Sequence, residues 1–362
     1  MKSYVCLVVI LLSCNLLRAQ ENISDIINAG LVAAQNYSES YLTPAGESFA
    51  YNLSTGWYDD AQTLEKWQFN VSIKGQATFS PSGKKSFLLD PMEYERMVQE
   101  SYDATNNLPA RIEVSFADGS RAPREIATAL GSNTPVQFLL IRALDGTTGA
   151  ELDRSQIELA QGLESEGINL IPAFFVQAGV GLGNGLELKA RFVPKIQIGD
   201  AETSLYGAGL QWEVTRLFEN NGNAVLPVRL AVLVGYTGVN SVYDYEDGLV
   251  VDGTNQKVEA TSGSLTVAAI ASTRFKVLNF YGGVNYARGT TESNLLGTYT
   301  INSNSVVYPV STTFKDPLSV STQANAIMGT LGTKLEVGFF SLNASYTLGE
   351  FSTASTAVSF KF

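Results

Sequence analysis

From residue 173 to residue 362 the chain alternates apolar and polar side chains. It does so in stretches long enough for a tilted strand to cross a bilayer, about 9–11 residues. Val358, Phe360 and Phe362 alternate with Ala357, Ser359 and Lys361. Before them, Phe340, Leu342, Ala344, Tyr346 and Leu348 oppose Ser341, Asn343, Ser345 and Thr347. Leu278, Phe280, Val284 and Tyr286 form another stripe, and so do Val228, Leu230, Val232, Val234 and Tyr236. Leu186, Leu188, Ala190 and Phe192 stand opposite Glu187, Lys189 and Arg191. A period of two puts each set on one face of a sheet.

A soluble sandwich alternates in the same way, and the connections discriminate. Counting back from the C-terminus, one end receives short turns near Val337-Gly338, Lys276-Val277, residues 220–224 and Gly183-Asn184-Gly185. The other end receives the long polar stretches 241–260 and 291–318, with short connections near Asp200 and Gly349-Glu350. Short inner turns with longer outer loops are the rule for outer-membrane barrels. This reading gives nine strands after residue 172. Residues 47–58 and 67–79 add two, the second through Trp67, Phe69, Val71 and Ile73. Irregular segments near Arg111 to Phe116 and Pro135 to Ile141 bring the expected even total to 12 or 14. The expected fold is all-β, a transmembrane antiparallel β-barrel over residues 47–362 with a short N-terminal helix. Residues 80–170 read as long outer loops or an inward-folded constriction.

The N-terminus sets the compartment. Lys2, the apolar run from Tyr4 to Leu12 and the small residue Ala19 read as a Sec-type signal peptide, residues 1–19. Leu11-Leu12-Ser13-Cys14 is the alternative, a lipoprotein box with lipid on Cys14. Both cysteines, Cys6 and Cys14, fall in this segment, so a chain cut after Ala19 has no disulfide. Residues 20–46 place Ile23, Ile26, Ile27, Leu31 and Val32 near helical spacing, with Ser24 as N-cap and Pro44 and Gly46 closing the stretch. That helix reads as a plug, a periplasmic lead-in, or a helix packed on the barrel rim. Phe362 and Phe360 close the chain with the aromatic strand that barrel-assembly machinery reads. The expected location is the outer membrane of a Gram-negative cell, with outer-membrane lipid and that machinery as partners.

Charge and missing residue types narrow the chemistry. Charged residues make up 16% of the chain, against about a quarter in soluble domains. The net charge is −11, and removing Lys2 and Arg18 with the leader takes it to −13, which argues against nucleic acid. The chain has no histidine, which removes Ser-His and Cys-His nucleophiles and His/Cys zinc sites. No spacing singles out a carboxylate-only or Ser-Lys enzyme, and no cofactor or metal is expected. Gly179 to Gly185 lacks the strand–loop–helix context of a phosphate loop and reads as a hairpin. Asp244 to Gly248, with Asp252, does not match a calcium loop and reads as a solvated acidic loop.

The lumen is the candidate site. If Leu186, Leu188 and Phe192 face lipid, Glu187, Lys189 and Arg191 face inward. Tyr206, Ala208, Leu210, Trp212 and Val214 outward send Glu213 inward, and Arg229 follows on the next strand. This register sets Glu213 near Lys189 and Arg229. Two roles compete, a charged constriction that biases permeation and a salt-bridged ladder that fills a narrow barrel.

Several stretches resemble an uncharacterised Gram-negative family of outer-membrane barrels, a domain of unknown function. They are Gly56-Trp57-Tyr58 before Trp67-Gln68-Phe69, residues 176–182, residues 186–195, residues 281–284, and Tyr346-Thr347-Leu348 with Phe351. The resemblance implies a barrel in the outer membrane and no settled activity. A more distant similarity to long-chain fatty-acid transporters rests on an N-terminal segment plus a barrel of about 14 strands. The leading functional expectation is a passive channel or transporter for small or hydrophobic molecules. The alternative is a non-conducting barrel that displays outer loops for structure, binding or adhesion. The solute is not legible.

Overall fold

The computed structural model describes residues 27, 29–106, 109–218, 226–244, 252–301, 306–307 and 311–362. The leader with Cys14, the Ser24 cap, the 220–224 turn and most of the acidic loop after Asp244 lie outside the described residues.

The described chain opens on helix α1 (Leu31–Ser54). Strand β1 (Phe69–Phe79) follows, and an excursion then folds as β2 (Ser86–Leu89), helix α2 (Pro91–Thr105), β3 (Ala110–Phe116), β4 (Arg124–Ala127), β5 (Phe138–Asp145) and β6 (Glu151–Glu158). Then come β7 (Leu170–Gly183), β8 (Leu186–Ile198), β9 (Ala201–Glu213), β10 (Arg229–Asp244), β11 (Lys257–Ser272) and β12 (Leu278–Leu296). The short β13 (Thr298–Ile301) and β14 (Thr312–Lys315) precede β15 (Leu318–Val337), β16 (Phe340–Leu348) and β17 (Thr353–Lys361).

Ten strands close a barrel in the order β1-β17-β16-β15-β12-β11-β10-β9-β8-β7, every neighbour antiparallel. The nine strands expected after residue 172 are all in it, and the 67–79 segment supplies the tenth. The expected 12 or 14 is corrected to ten for two reasons. Residues 47–54 are helical, the last two turns of α1. The segments near Arg111 and Pro135 do form strands, β3 and β5, but in a separate three-stranded sheet with β6.

Call the rim that carries Phe362 the lower rim. The turns there are short, as expected at Gly183-Asn184-Gly185, residues 273–277 and residues 338–339. The first of these needs φ angles of 90°, 53° and 76°, a conformation that Gly and Asn supply. The stretch 80–169 rises from the upper rim and is a folded cap. In it α2 is started by Asp90, whose side chain accepts from the Met92 amide at 2.9 Å, with Pro91 in the first turn. Tyr94, Met97, Val98 and Tyr102 recur at helical spacing and are buried against Ile112, Val114 and Ile141 of the small sheet. The same core takes in Leu295, Tyr299 and Leu318 around the upper ends of β12 and β15, so cap and barrel share it.

The outer faces of the strands change character partway up. On β12 Leu278, Phe280, Val284 and Tyr286 point outward and are exposed, and Arg288, Thr290 and Glu292 continue the row above them. On β15 Val337, Leu335, Leu331 and Ile327 give way to Asn325, Gln323, Ser321 and Ser319. The apolar rows form a belt. From Leu278 to Tyr286 it spans on the order of 20–25 Å once strand rise and barrel tilt are allowed for. Inside, the pattern is reversed: buried Lys, Arg, Glu, Gln and Asn cluster within the belt, and the apolar core lies above it.

Helix α1 runs down through the barrel and packs on β15, β12, β11, β1, β7 and β10. The N-terminal helix thus stands inside the barrel and not on its rim. The helix does not stop at Pro44 and Gly46. Pro44 lacks an N–H and disturbs the ladder; nearby, the Tyr41 carbonyl accepts from Ala129 of the cap at 2.9 Å. Gly46 marks a close approach instead, its carbonyl accepting from the Thr291 hydroxyl at 3.1 Å. Tertiary packing overrides these local stop signals.

Candidate functional site

Below Ser54 the chain has no regular structure until β1, yet residues 55–64 lie inside a closed barrel. Irregular backbone in such a place must find partners for its N–H and C=O groups. The wall provides them. Lys74 donates to the Gly56 carbonyl at 2.8 Å. Lys189 and Gln177 both donate to the Trp57 carbonyl at 3.3 Å. Gln211 reaches the Asp60 carbonyl at 3.0 Å and Thr266 the Ser54 carbonyl at 3.0 Å. Lower down the polarity changes: Glu187 accepts from the Leu64 amide at 3.1 Å and Glu213 from the Thr63 amide at 3.1 Å.

Arg191 occupies the centre. Its guanidinium donates to the Leu53 carbonyl at 3.1 Å, to the Thr55 carbonyl at 2.7 Å and to Gln177 Oε1 at 3.0 Å. It stacks on Trp57 at 3.8 Å and on Phe175 at 4.4 Å from the ring centroids. The last carbonyls of α1 carry the negative end of the helix dipole, so this cation caps the helix. The planar fork suits two carbonyls at once, and its faces suit aromatic rings. Lys74 adds a second positive charge beside the same helix end and is paired with Asp59 at 2.7 Å.

Trp57 lies beside Arg191, against the β9–β10 side of the lumen. It lies against three glycines: a Cβ on Gly207, Gly209 or Gly235 would meet its ring at 3.3, 2.8 or 2.6 Å. Tyr58 enters the wall at Gly283 and donates to Asn285 Oδ1 at 2.9 Å.

All five sequence-predicted lumen residues point inward. Glu187, Lys189, Arg191 and Glu213 are buried. Glu213 meets Arg229 at 3.6 Å as expected, and also Arg216 at 3.1 Å. The expected neighbour Lys189 instead pairs with Glu187 at 3.4 Å. The register explains this correction: Lys189 lies opposite Gly209, four residues along the strand from Glu213. At the lower edge Arg216 bridges Glu213 and Glu65, and its proximity holds the Glu65 carboxyl below the usual range. Sequence reasoning missed Lys74, Gln177, Gln211 and Trp57. The first was within reach, because Phe69, Val71 and Ile73 outward send Lys74 inward. Trp57 was hidden by a strand assignment for residues 47–58.

The predicted assembly signal sits on the lower rim. Phe362 is largely exposed and closes the barrel seam through a reciprocal backbone pair with Phe69 at 2.8 and 3.0 Å. Phe360 stacks against Phe339 and meets Phe340 edge-on. Among the described residues no cluster of three or more acidic, Cys or His groups forms that could hold a metal ion.

Solved structures similar to this chain include the attachment invasion locus protein Ail of Yersinia pestis, at 8% identity and a TM-score of 0.25 over 82% of this chain and 99% of that one. The outer membrane protease OmpT of Escherichia coli matches at 8% identity and a TM-score of 0.31, over 83% and 100%. The transport unit of the autotransporter AIDA-I from Escherichia coli matches at 8% and 0.20, over 88% and 98%. Likeness this distant assigns no activity, and it brings no link to fatty-acid transporters. No curated protein matches the chain. A family model described as a family of unknown function (DUF6588) matches residues 1–362, and the chain belongs to that family.

Proposed function

We propose that this protein is an outer-membrane barrel closed by its own N-terminal segment, acting through the cap above its upper rim and not as an open diffusion channel. The belt supports the membrane. Outward apolar rows of roughly the ~25 Å height typical of such barrels would be costly in water at about 25 cal/mol per Å². Trp67, Phe218, Phe275, Phe339 and Phe362, all more than half exposed at the lower rim, suit the interface between lipid and water. Short turns below and long excursions above support an outward-facing cap. Lipid and the barrel-assembly machinery are the partners this reading implies.

The observation that carries the closed lumen is the layer of Arg191, Trp57 and the glycines of β9 and β10. There the Trp57 ring touches the wall at Gly209 and Gly235 and carries the Arg191 guanidinium on it at 3.8 Å, so the segment is packed onto the wall at this level. Of the two roles weighed for the lumen charges, the filling ladder is therefore favoured over the constriction. Conductance of the refolded full chain in planar bilayers tests the reading. Silent membranes with folded, inserted protein are expected. Stable, reproducible conductance steps from the unaltered chain would overturn it and restore the channel.

A further inference from the structure

The chain enters the molecule from the cap. Ile27 and Ala29 are buried in the cap core, and Gly30 sits against Ser101 of α2. From there α1 descends, and Gln35 donates to the Ser319 carbonyl near the top of β15 at 2.6 Å. By Ser54 the helix is deep in the lumen. Residues 55–66 complete the crossing, and at the lower rim the Trp67 amide donates to the Gly181 carbonyl at 2.9 Å. Only then does β1 turn back up, paired from its first residues with the end of β17.

An even number of up-and-down strands puts the start of the first and the end of the last at the same rim. That holds here for β1 and β17. The lumen segment adds one more crossing before the first strand. It therefore moves the N-terminal end to the opposite side from the C-terminus.

We infer that the barrel holds the upper end of its lumen segment, from Ile27 to Leu31, on the outer side of the membrane beside the cap. The inference rests on the outer-membrane reading. The crossing is fixed at both ends. Arg191 holds the bottom of the helix and the cap core holds its top. Withdrawing it would draw a 24-residue helix, about 36 Å long at 1.5 Å per residue, past the layer that Trp57 closes.

The test uses full chains with one new cysteine each, treated in intact cells with a membrane-impermeant maleimide. Val32→Cys reports the top of α1, where Val32 is 53% exposed. Asp200→Cys reports an upper turn and Lys276→Cys a lower turn, both exposed. The unsubstituted chain gives the background from Cys6 and Cys14. Val32→Cys and Asp200→Cys should label to within twofold of each other on intact cells, and Lys276→Cys only after the membrane is broken. A peptide tag between Gln20 and Glu21, detected by antibody on intact cells, gives a second readout that changes none of the described residues. Labelling of Asp200→Cys with both Val32→Cys and the tag protected would overturn the inference and leave the barrel reading standing. Protection of Asp200→Cys itself would sink the membrane reading or its orientation, and the inference with it.

Discussion

Replacing Gly235 with alanine is the sharpest test of the plug. The added Cβ would stand 2.6 Å from Trp57 Cε2, 2.8 Å from Cδ2 and 3.0 Å from Cζ2. Carbon atoms rest at about 3.5–4.0 Å, so the ring would have to retreat by about 1 Å. It has nowhere to go, because Arg191 is stacked at 3.8 Å. Gly207 and Gly209 are in contact as well. Overpacking of a rigid site costs about 1–3 kcal/mol, and a flat ring held on several sides belongs near the upper end. Gly329→Ala is the control, since a Cβ there meets nothing within 4 Å. Urea unfolding in lipid vesicles, followed by circular dichroism, should show a loss of about 2–3 kcal/mol for Gly235→Ala and under about 0.5 kcal/mol for Gly329→Ala. In a Trp57→Ala background the cost of Gly235→Ala should vanish, a coupling of the same size. A Gly235→Ala cost that persists without Trp57 would refute the packing argument.

Other outcomes follow from the same contacts. Arg191→Met should destabilise the barrel by about 3–5 kcal/mol, since helix-end carbonyls lose a buried charged donor, and Arg191→Lys should recover little because an ammonium cannot bridge two carbonyls and two rings; urea midpoints decide both. Lys189→Ala combined with Arg191→Ala should turn a silent barrel into one with brief, irregular openings in planar bilayers, and a silent double variant would mean the remaining contacts hold the plug unaided. Lys84 bridges Glu47 and Glu350 at 2.6 and 3.0 Å on a partly exposed surface, so Lys84→Ala should change the unfolding free energy by under about 1 kcal/mol. The Glu65 carboxyl is held low by Arg216, so its contribution is full above the ordinary glutamate range, about pH 4.3, and fades as pH falls through its lower folded value. Amide exchange at residues 63–67 should therefore be slower in the unaltered chain than in Glu65→Gln at neutral pH, with the difference closing in acid.

The wall of this barrel was legible because one physical rule governs it. Each strand has two faces in two different surroundings, so Leu188 and Phe192 outward oblige Lys189 and Arg191 inward. The register across strands was less legible: sequence distance placed Glu213 beside Lys189, and only the pairing of Lys189 with Gly209 corrects it. What fills the barrel was missed for another reason. Residues 47–58 carry Phe49, Tyr51, Leu53 and Trp57 at alternate positions, a strand-like spacing, but Tyr51 and Leu53 are buried on α1 against the inner wall. A helix enclosed on all sides shows no clean stripe, and Pro44 and Gly46 read as stops when the lumen in fact supports the helix through them. The cap strands β3 and β5 were seen as strands, and only tertiary contact assigns them to a second sheet.

The distribution of charge argues that the plug is part of the fold and not a gate placed in a pore. A permeation constriction would aim its charges at the axis, toward passing solute. Here Lys74, Lys189 and Arg191 aim at carbonyls of residues 53–57, and Glu187 and Glu213 at the amides of residues 63 and 64. The sign follows the backbone: cations where the helix ends and leaves carbonyls unpaired, carboxylates where the extended chain presents N–H groups. Each wall charge is thereby matched to a group of the same chain. Removing the segment would take from Lys74 its Asp59 partner and from Arg191 its two carbonyls, at several kcal/mol for a buried charge left unpaired, while Lys189–Glu187 and Glu213–Arg229 keep each other. On the proposed reading a lumen built this way gains nothing by opening, and the cap is the surface that acts.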